Sequence, residues 1–251
     1  QLVLVGAKPP VAFFGYPGKP SLLFQEGTPM TRLANAEDDI IAALEALEAE
    51  LGAQNSEMAH VAEAGKPDRP SGEPTLDNLA AVMGNMLPEN AIVVDESVTT
   101  GRGFFPATAG AARHDWLNNR GGSIGFGMPV ALGAAVAAPD RKVVLLEGDG
   151  SGMYTVQSLW SMAREQLDIT TIVFSNRSYK ILRGELSNVG VQNPGPRAID
   201  MLTLDRPDLS WVDMAKGMGV DGEQVNDCEG LMRAMEAGLQ TDGPYLIDLV
   251  M

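Results

Sequence analysis

Two apolar, β-branched runs, Val143 to Leu146 and Ile169 to Phe174, each end in a short polar turn: Gly148-Asp149-Gly150-Ser151 and Ser175-Asn176-Arg177-Ser178-Tyr179. Apolar runs without alternation belong to strands buried on both faces, the habit of parallel sheets covered by helices. From Pro74 onward strand and helix patterns keep alternating. A helix is expected near Thr75 to Leu87, a strand at Ala91 to Asp95, a helix at Ile124 to Ala138 and a strand at Lys142 to Glu147. A helix at Tyr154 to Gln166 and a strand at Ile169 to Ser175 follow, then helices near Ser210 to Met218 and Cys228 to Gln240 and a closing strand at Tyr245 to Val250. This order specifies an α/β fold, a mostly parallel sheet with helices on both faces. The turns after its strands share the carboxyl edge, where open α/β sheets bind ligands, so Asp149 and Asn176 are expected side by side there.

That pairing has a chemical reading. Mg²⁺ takes oxygen donors in near-octahedral geometry and is held by one or two protein ligands together with phosphate oxygens. An Asp carboxylate, an Asn amide oxygen and a backbone carbonyl make a fitting protein share, and the neutral Asn avoids crowding an anionic diphosphate. Gly148 and Gly150 let the backbone approach a phosphate closely, and a helix after Ser151 would offer it free N–H groups.

The two turns resemble the motif of thiamine diphosphate (ThDP) enzymes, Gly-Asp-Gly followed after a strand-helix-strand spacer by Asn-Asn, and the similarity covers residues 74 to 251. The resemblance implies Asp149, Asn176 and the Ser178 carbonyl as magnesium ligands, with Gly148, Gly150, Ser151 and Tyr179 around the cofactor. Ser175 stands where the family has its first Asn. A third segment, Gly121-Gly122-Ser123-Ile124-Gly125-Phe126-Gly127-Met128-Pro129, is similar to the stretch that holds the aminopyrimidine ring. By that resemblance Ile124 is the apolar wedge under the bent cofactor and Gly122 supplies a carbonyl to the exocyclic amine. Thr99, in Asp95-Glu96-Ser97-Val98-Thr99-Thr100, matches a diphosphate contact, while Val98 sits where some relatives carry a hydroxyl.

The rest of the chain sets bounds. Its 251 residues are 45% hydrophobic and carry a net charge of −15, enough for a core and contrary to a nucleic-acid or anionic-membrane surface. A single cysteine, Cys228, excludes an internal disulfide, and no apolar run reaches membrane-spanning length, so a cytoplasmic protein is expected. Only His60 and His114 are available, too few for a His/Cys metal cluster or a hydrolase triad. Glu147, inside an apolar strand, needs a partner, for which Arg141, Lys142 or another subunit are the candidates. Trp160, Met162 and Trp211 read as core.

Residues 1–53 carry strand signals at Leu2 to Val5 and Val11 to Phe14, then a helix whose Ile40, Leu44, Leu47 and Leu51 share one face. They resemble the tail of the central domain of the same family. Residues 54–73, rich in Gly, Pro and charge, read as a linker to the ThDP-binding domain at 74–251. The start at Gln1, inside a strand pattern, suggests a chain cut from a longer one.

Ser151 to Trp160 are most similar to the acetolactate synthase and benzoylformate decarboxylase branch. The resemblance implies ThDP- and Mg²⁺-dependent decarboxylation or carboligation of a 2-oxo acid in a homo-oligomer, a dimer or tetramer. The family's activating glutamate comes from an N-terminal domain across a subunit interface. These residues lack that domain, so the chain by itself is expected to be inactive. A benzoylformate-type decarboxylase and a non-catalytic module are the alternatives.

Overall fold

The computed structural model describes all 251 residues and divides into two units, residues 1–61 with 187–191, and residues 62–186 with 192–251. In the first, β1 (Leu2–Val5) and β2 (Met30–Ala34) pair in parallel, with Leu2 opposite Met30. The helix Ile40–Leu51 starts at Asp39, whose side chain accepts the Ala42 N–H, and ends at Gly52 in the left-handed conformation. None of its residues is buried. Ile40 and Leu47 are half-buried, but Leu44 and Leu51, expected on the same covered face, are 45% and 71% exposed. Val11 to Phe14 form no strand: Val11 makes one bridge to Leu22, and Phe13 and Phe14 are exposed, for want of a neighbouring strand to complete the ladder.

The second unit holds a six-stranded, wholly parallel sheet. Its strands are β3 (Ala91–Glu96), β4 (His114–Asn118), β5 (Val143–Gly148), β6 (Ile169–Ser175), β7 (Asp221–Val225) and β8 (Tyr245–Val250), in the order β4-β3-β5-β6-β8-β7. The chain leaves β3 toward β4 on one side and returns to β5 on the other. The crevice between the ends of β3 and β5 is therefore a topological switch point. β4 and β7 escape the sequence reading because they are edge strands, His-Asp-Trp-Leu-Asn and Asp-Gly-Glu-Gln-Val, with one neighbour each and no apolar run.

The two-residue period of the strands sends alternate side chains to opposite layers. Val93, Val144, Leu146, Ile172 and Phe174 pack with the helices Leu76–Met86 and Cys228–Gln240. Ile92, Val94, Val143, Leu145 and Val173 pack with Gly127–Ala137, Ser158–Arg164 and Trp211–Gly217. Met162 and Trp211 are fully buried in this second layer, whereas Trp160 is 54% exposed and stacks against the Arg164 guanidinium. The helix expected from Ile124 begins only at Gly127, which leaves Ile124 on a loop. Lys180–Asn188 is a further helix that the sequence reading omits.

Residues 62–73, expected to be linker, belong to this unit. They form no helix or strand, yet they are tied down: Gly65 N–H donates to Gly110 O, Asn85 Nδ2 to Pro67 O, Gly72 N–H to Glu229, and Arg69 pairs with Glu236. A segment poor in apolar groups is thus held by its backbone polar atoms.

Candidate active site

Gly148 lies opposite Phe174 in the β5–β6 ladder, so the turns that follow emerge together at the carboxyl edge. One cleft there is lined by Thr99, Ile124, Gly148, Asp149, Gly150, Ser151, Asn176, Ser178 and Tyr179. Gly122, two residues before Ile124, lies instead on an exposed turn with φ 70, outside this lining.

Asp149 opens a single helical turn, Asp149–Gly152, and is buried. Its Oδ1 accepts the Gly150 N–H at 2.9 Å and its Oδ2 the Arg177 N–H at 2.6 Å. Arg177 takes φ 54 to present that N–H. Each carboxylate oxygen keeps a lone pair for a cation. Burial pushes the Asp149 carboxyl up to about 6, against the pull of these backbone donors, and the charge of Asp248 adds to the rise. The Asn176 Oδ1 is buried without any hydrogen-bond partner. An orphaned amide oxygen costs about 1–3 kcal/mol unless something occupies it, and a cation shared with Asp149 would. The Ser178 carbonyl accepts the Lys180 N–H at 2.8 Å and retains its second lone pair. No three His, Cys, Asp or Glu side chains gather to hold a metal, which leaves a donor set of one carboxylate and neutral oxygens, suited to Mg²⁺ that brings phosphate ligands with it.

Ser175, in place of the family's first Asn, donates to Asp248 Oδ1 on β8, and Asp248 Oδ2 accepts Gln224 Nε2 at 2.8 Å. Gly150 leaves no room for a side chain, since a Cβ there would lie 2.8 Å from the Tyr179 ring. On the opposite wall Val98 adopts φ 48. A β-branched residue in the left-handed region is strained by about 1–3 kcal/mol. Ile124 is 45% exposed at the cleft rather than packed in the core.

Glu147 finds no cation. Arg141 pairs with Asp115 and Lys142 with Asp168, because both lie just before β5, about 16–20 Å along the strand from Glu147. Its Oε1 accepts the Gly148 N–H at 3.1 Å and its Oε2 has no partner. Burial, reinforced by the adjacent Glu96, holds its carboxyl well above the usual carboxylate range. Glu96, 1% exposed, is raised by burial too, against three backbone N–H groups from Gly125, Phe126 and Gly127 that favour its charged form. His114 lies at the start of β4, its Nδ1 2.7 Å from Ala112 O, and lines no part of the cleft. Cys228 is buried at the start of its helix.

The sequence reading passes over Tyr154, Lys180, Ile181 and Leu182, which also line the cleft. Ile181 and Leu182 carry no polar signature, and none of the residues of the helix that delivers them, Lys180–Asn188, is buried. A carboxylate at the end of the apolar run Ala91-Ile92-Val93-Val94 was the available signal for Glu96.

Residues 104–249 match the family model described as thiamine pyrophosphate enzyme, C-terminal TPP binding domain. The whole chain is 49% identical to the Mycobacterium tuberculosis protein named "Putative acetolactate synthase large subunit IlvX", of which it covers 48%. Over 190 residues, 75% of the chain, it is 33% identical to benzoylformate decarboxylase of Pseudomonas aeruginosa, covering 33% of that protein. The 4-hydroxybenzoylformate decarboxylase of Rhodococcus jostii superimposes over 99% of this chain and 48% of its own, with TM-score 0.79 and 25% identity. The chain therefore spans about half or less of the length of these relatives. It belongs to the thiamine pyrophosphate enzymes and carries their C-terminal cofactor-binding domain.

Proposed function

We propose that the chain supplies the magnesium and diphosphate half of the active site of a ThDP-dependent enzyme acting on a 2-oxo acid, of the acetolactate synthase type. The observation that carries this reading is the partnerless, buried Asn176 Oδ1 in the same cleft as the Asp149 carboxylate and Ile124. Asp149, Asn176 and the Ser178 carbonyl would hold Mg²⁺, Thr99 and Ser151 would meet the diphosphate, and Ile124 would support the ring end. Bound ThDP supplies an electron sink for loss of CO₂ from the 2-oxo acid. The protein residues bind and orient: Asp149 keeps its carboxylate aimed by the Gly150 and Arg177 N–H groups, so little reorganisation is needed when a cation arrives. Tyr154, Ile181 and Leu182 give the cleft an apolar wall against water.

No glutamate projects into the cleft from this chain, so the group that exchanges protons with the aminopyrimidine would come from outside these residues, in a homo-oligomer of the longer protein. Resemblance to the two decarboxylases favours a second reading, a benzoylformate-type decarboxylase. Calorimetric titration tests the shared core of both: ThDP is expected to bind with Mg²⁺ and to lose binding when the metal is chelated. Binding that ignores Mg²⁺ sinks the reading. Assays of the longer protein with pyruvate and with benzoylformate separate the two, an acetohydroxy acid product supporting the first and an aromatic aldehyde the second.

A further inference from the structure

Ile124 stands half-exposed at the cleft, so packing of its own side chain does little to hold it, and its neighbours along the chain are fixed instead. Ahead of it Asn119 brackets Ser123, its Nδ2 donating to Ser123 O at 2.8 Å and its Oδ1 accepting the Ser123 N–H at 3.0 Å. Behind it the Gly125 N–H donates to Glu96 Oε1 at 2.6 Å, and the Gly127 N–H donates to Glu96 Oε2. The Gly125 carbonyl accepts Thr155 Oγ1 at 3.0 Å. The segment is thus gripped by the last residue of β3 on one side and by the chain after Asp149 on the other.

The fit is close enough to dictate residue types. Gly125 has φ 88, and a Cβ there would fall 2.6 Å from Tyr154 Cβ. A Cβ on Gly127 would fall 2.5 Å from Glu147 Oε2 and 2.9 Å from Glu96 Oε2. Only a carboxylate offers two acceptor oxygens to two donors; Gln would present an N–H₂ to one of them, and Asp would fall short by a methylene.

We propose that Glu96 is a positioning residue, which with Thr155 sets the height of Ile124 under the ring end of the cofactor while leaving the diphosphate end untouched. This rests on the ThDP reading above. It separates the cleft into two halves held by different side chains, one by Asp149 and Asn176, the other by Glu96 and Thr155.

The test compares Mg²⁺-dependent binding of ThDP with that of inorganic pyrophosphate, which reports the diphosphate end alone, in the wild-type chain, Glu96→Gln and Thr155→Val. Amide hydrogen exchange is followed in parallel. In Glu96→Gln the ThDP affinity is expected to fall about tenfold, equivalent to ~1.4 kcal/mol. Pyrophosphate affinity is expected to stay within about twofold, equivalent to ~0.4 kcal/mol. The Gly125 and Gly127 amides should exchange faster while those of Gly150 and Arg177, held by Asp149, keep their rates. Thr155→Val, at a half-buried position, should move the same readouts in the same direction by less, and it stands in if Glu96→Gln does not fold. Equal loss for both ligands, or no change in ThDP affinity and in the Gly125 and Gly127 amides, overturns the proposal. Failure of wild-type pyrophosphate binding overturns the cofactor reading instead, and the amide rates then decide by themselves whether Glu96 holds the loop.

Discussion

The helices Ile40–Leu51 and Cys228–Gln240 are built from the same local devices and end in different circumstances. They run 12 and 13 residues, and each is opened by an Asp whose side chain accepts a backbone N–H three residues on, Asp39 from Ala42 and Asp227 from Gly230. Seven residues of the second are buried and none of the first. Caps and periodicity suffice to make a helix and to mark a face. Burial requires a layer to receive that face, which the six-stranded sheet of the second unit provides and the two-stranded sheet of the first does not.

The sharpest way to break this comparison is to truncate a residue of the layered core. Phe174, fully buried and 5.4 Å in ring separation from Phe104, should cost about 3–5 kcal/mol when changed to Ala, read by urea unfolding. A loss under about 1 kcal/mol, the size of an ordinary substitution, would show that the second unit is no better packed than the first.

Next in size is the site that this core supports. Asp149→Ala should weaken Mg²⁺-dependent ThDP binding by about 100-fold or more, ~2.7 kcal/mol, and, because it leaves the Gly150 and Arg177 N–H groups without their acceptor, lower the stability of the metal-free chain by about 1–2 kcal/mol, less than Phe174→Ala. Calorimetry and thermal unfolding on one preparation read both. A fall in stability as large as that of Phe174→Ala would make Asp149 a structural residue.

The pH dependence follows from the carboxyls at the sheet edge. Asp95, Glu96, Glu147 and Asp149 are all raised, Asp149 to about 6, with burial the largest cause in each. A folded-state value above the unfolded one means that the folded chain binds more protons in the interval between them. Stability is therefore gained as pH falls through the folded values and lost as it rises through them. The thermal midpoint of the metal-free chain should rise on going from pH 7.5 to 6, readable at about 2–4 °C per kcal/mol. Glu147→Gln should reduce the rise; a midpoint that falls over this range contradicts the assignment.

Two small effects sharpen the contrast. Val98→Asn, which relaxes a left-handed β-branched residue, should stabilise by about 1 kcal/mol in chemical denaturation. Leu51→Ala, on the exposed face of the first unit's helix, should change stability by no more than about 0.5 kcal/mol. A cost for Leu51 near that of Phe174 would erase the difference between the two helices.

Much of the layered unit was legible because buried parallel strands write themselves as apolar runs. β3, β5, β6 and β8 were all read within a residue or so, and the turns after β5 and β6 named seven of the fifteen residues that line the cleft. The edge strands β4 and β7 were not, since one-sided pairing asks little of composition. Nor was the grip of residues 62–73, whose partners, Asn85, Gly110, Glu229 and Glu236, lie far along the chain and meet the segment only in the fold.

By itself the sequence determined the α/β class and the placement of Asp149 and Asn176 at neighbouring strand ends, because each depends on periodicity and on residue types at fixed spacing. Only the tertiary structure decided that Asn176 Oδ1 is left without a partner, that Glu147 lies beside Glu96 rather than a cation, and that Glu96 spans two glycine N–H groups some thirty residues further along the chain. Those facts depend on which strand end meets which loop, and on how much water remains between them. Neither quantity exists until the sheet has closed around its order.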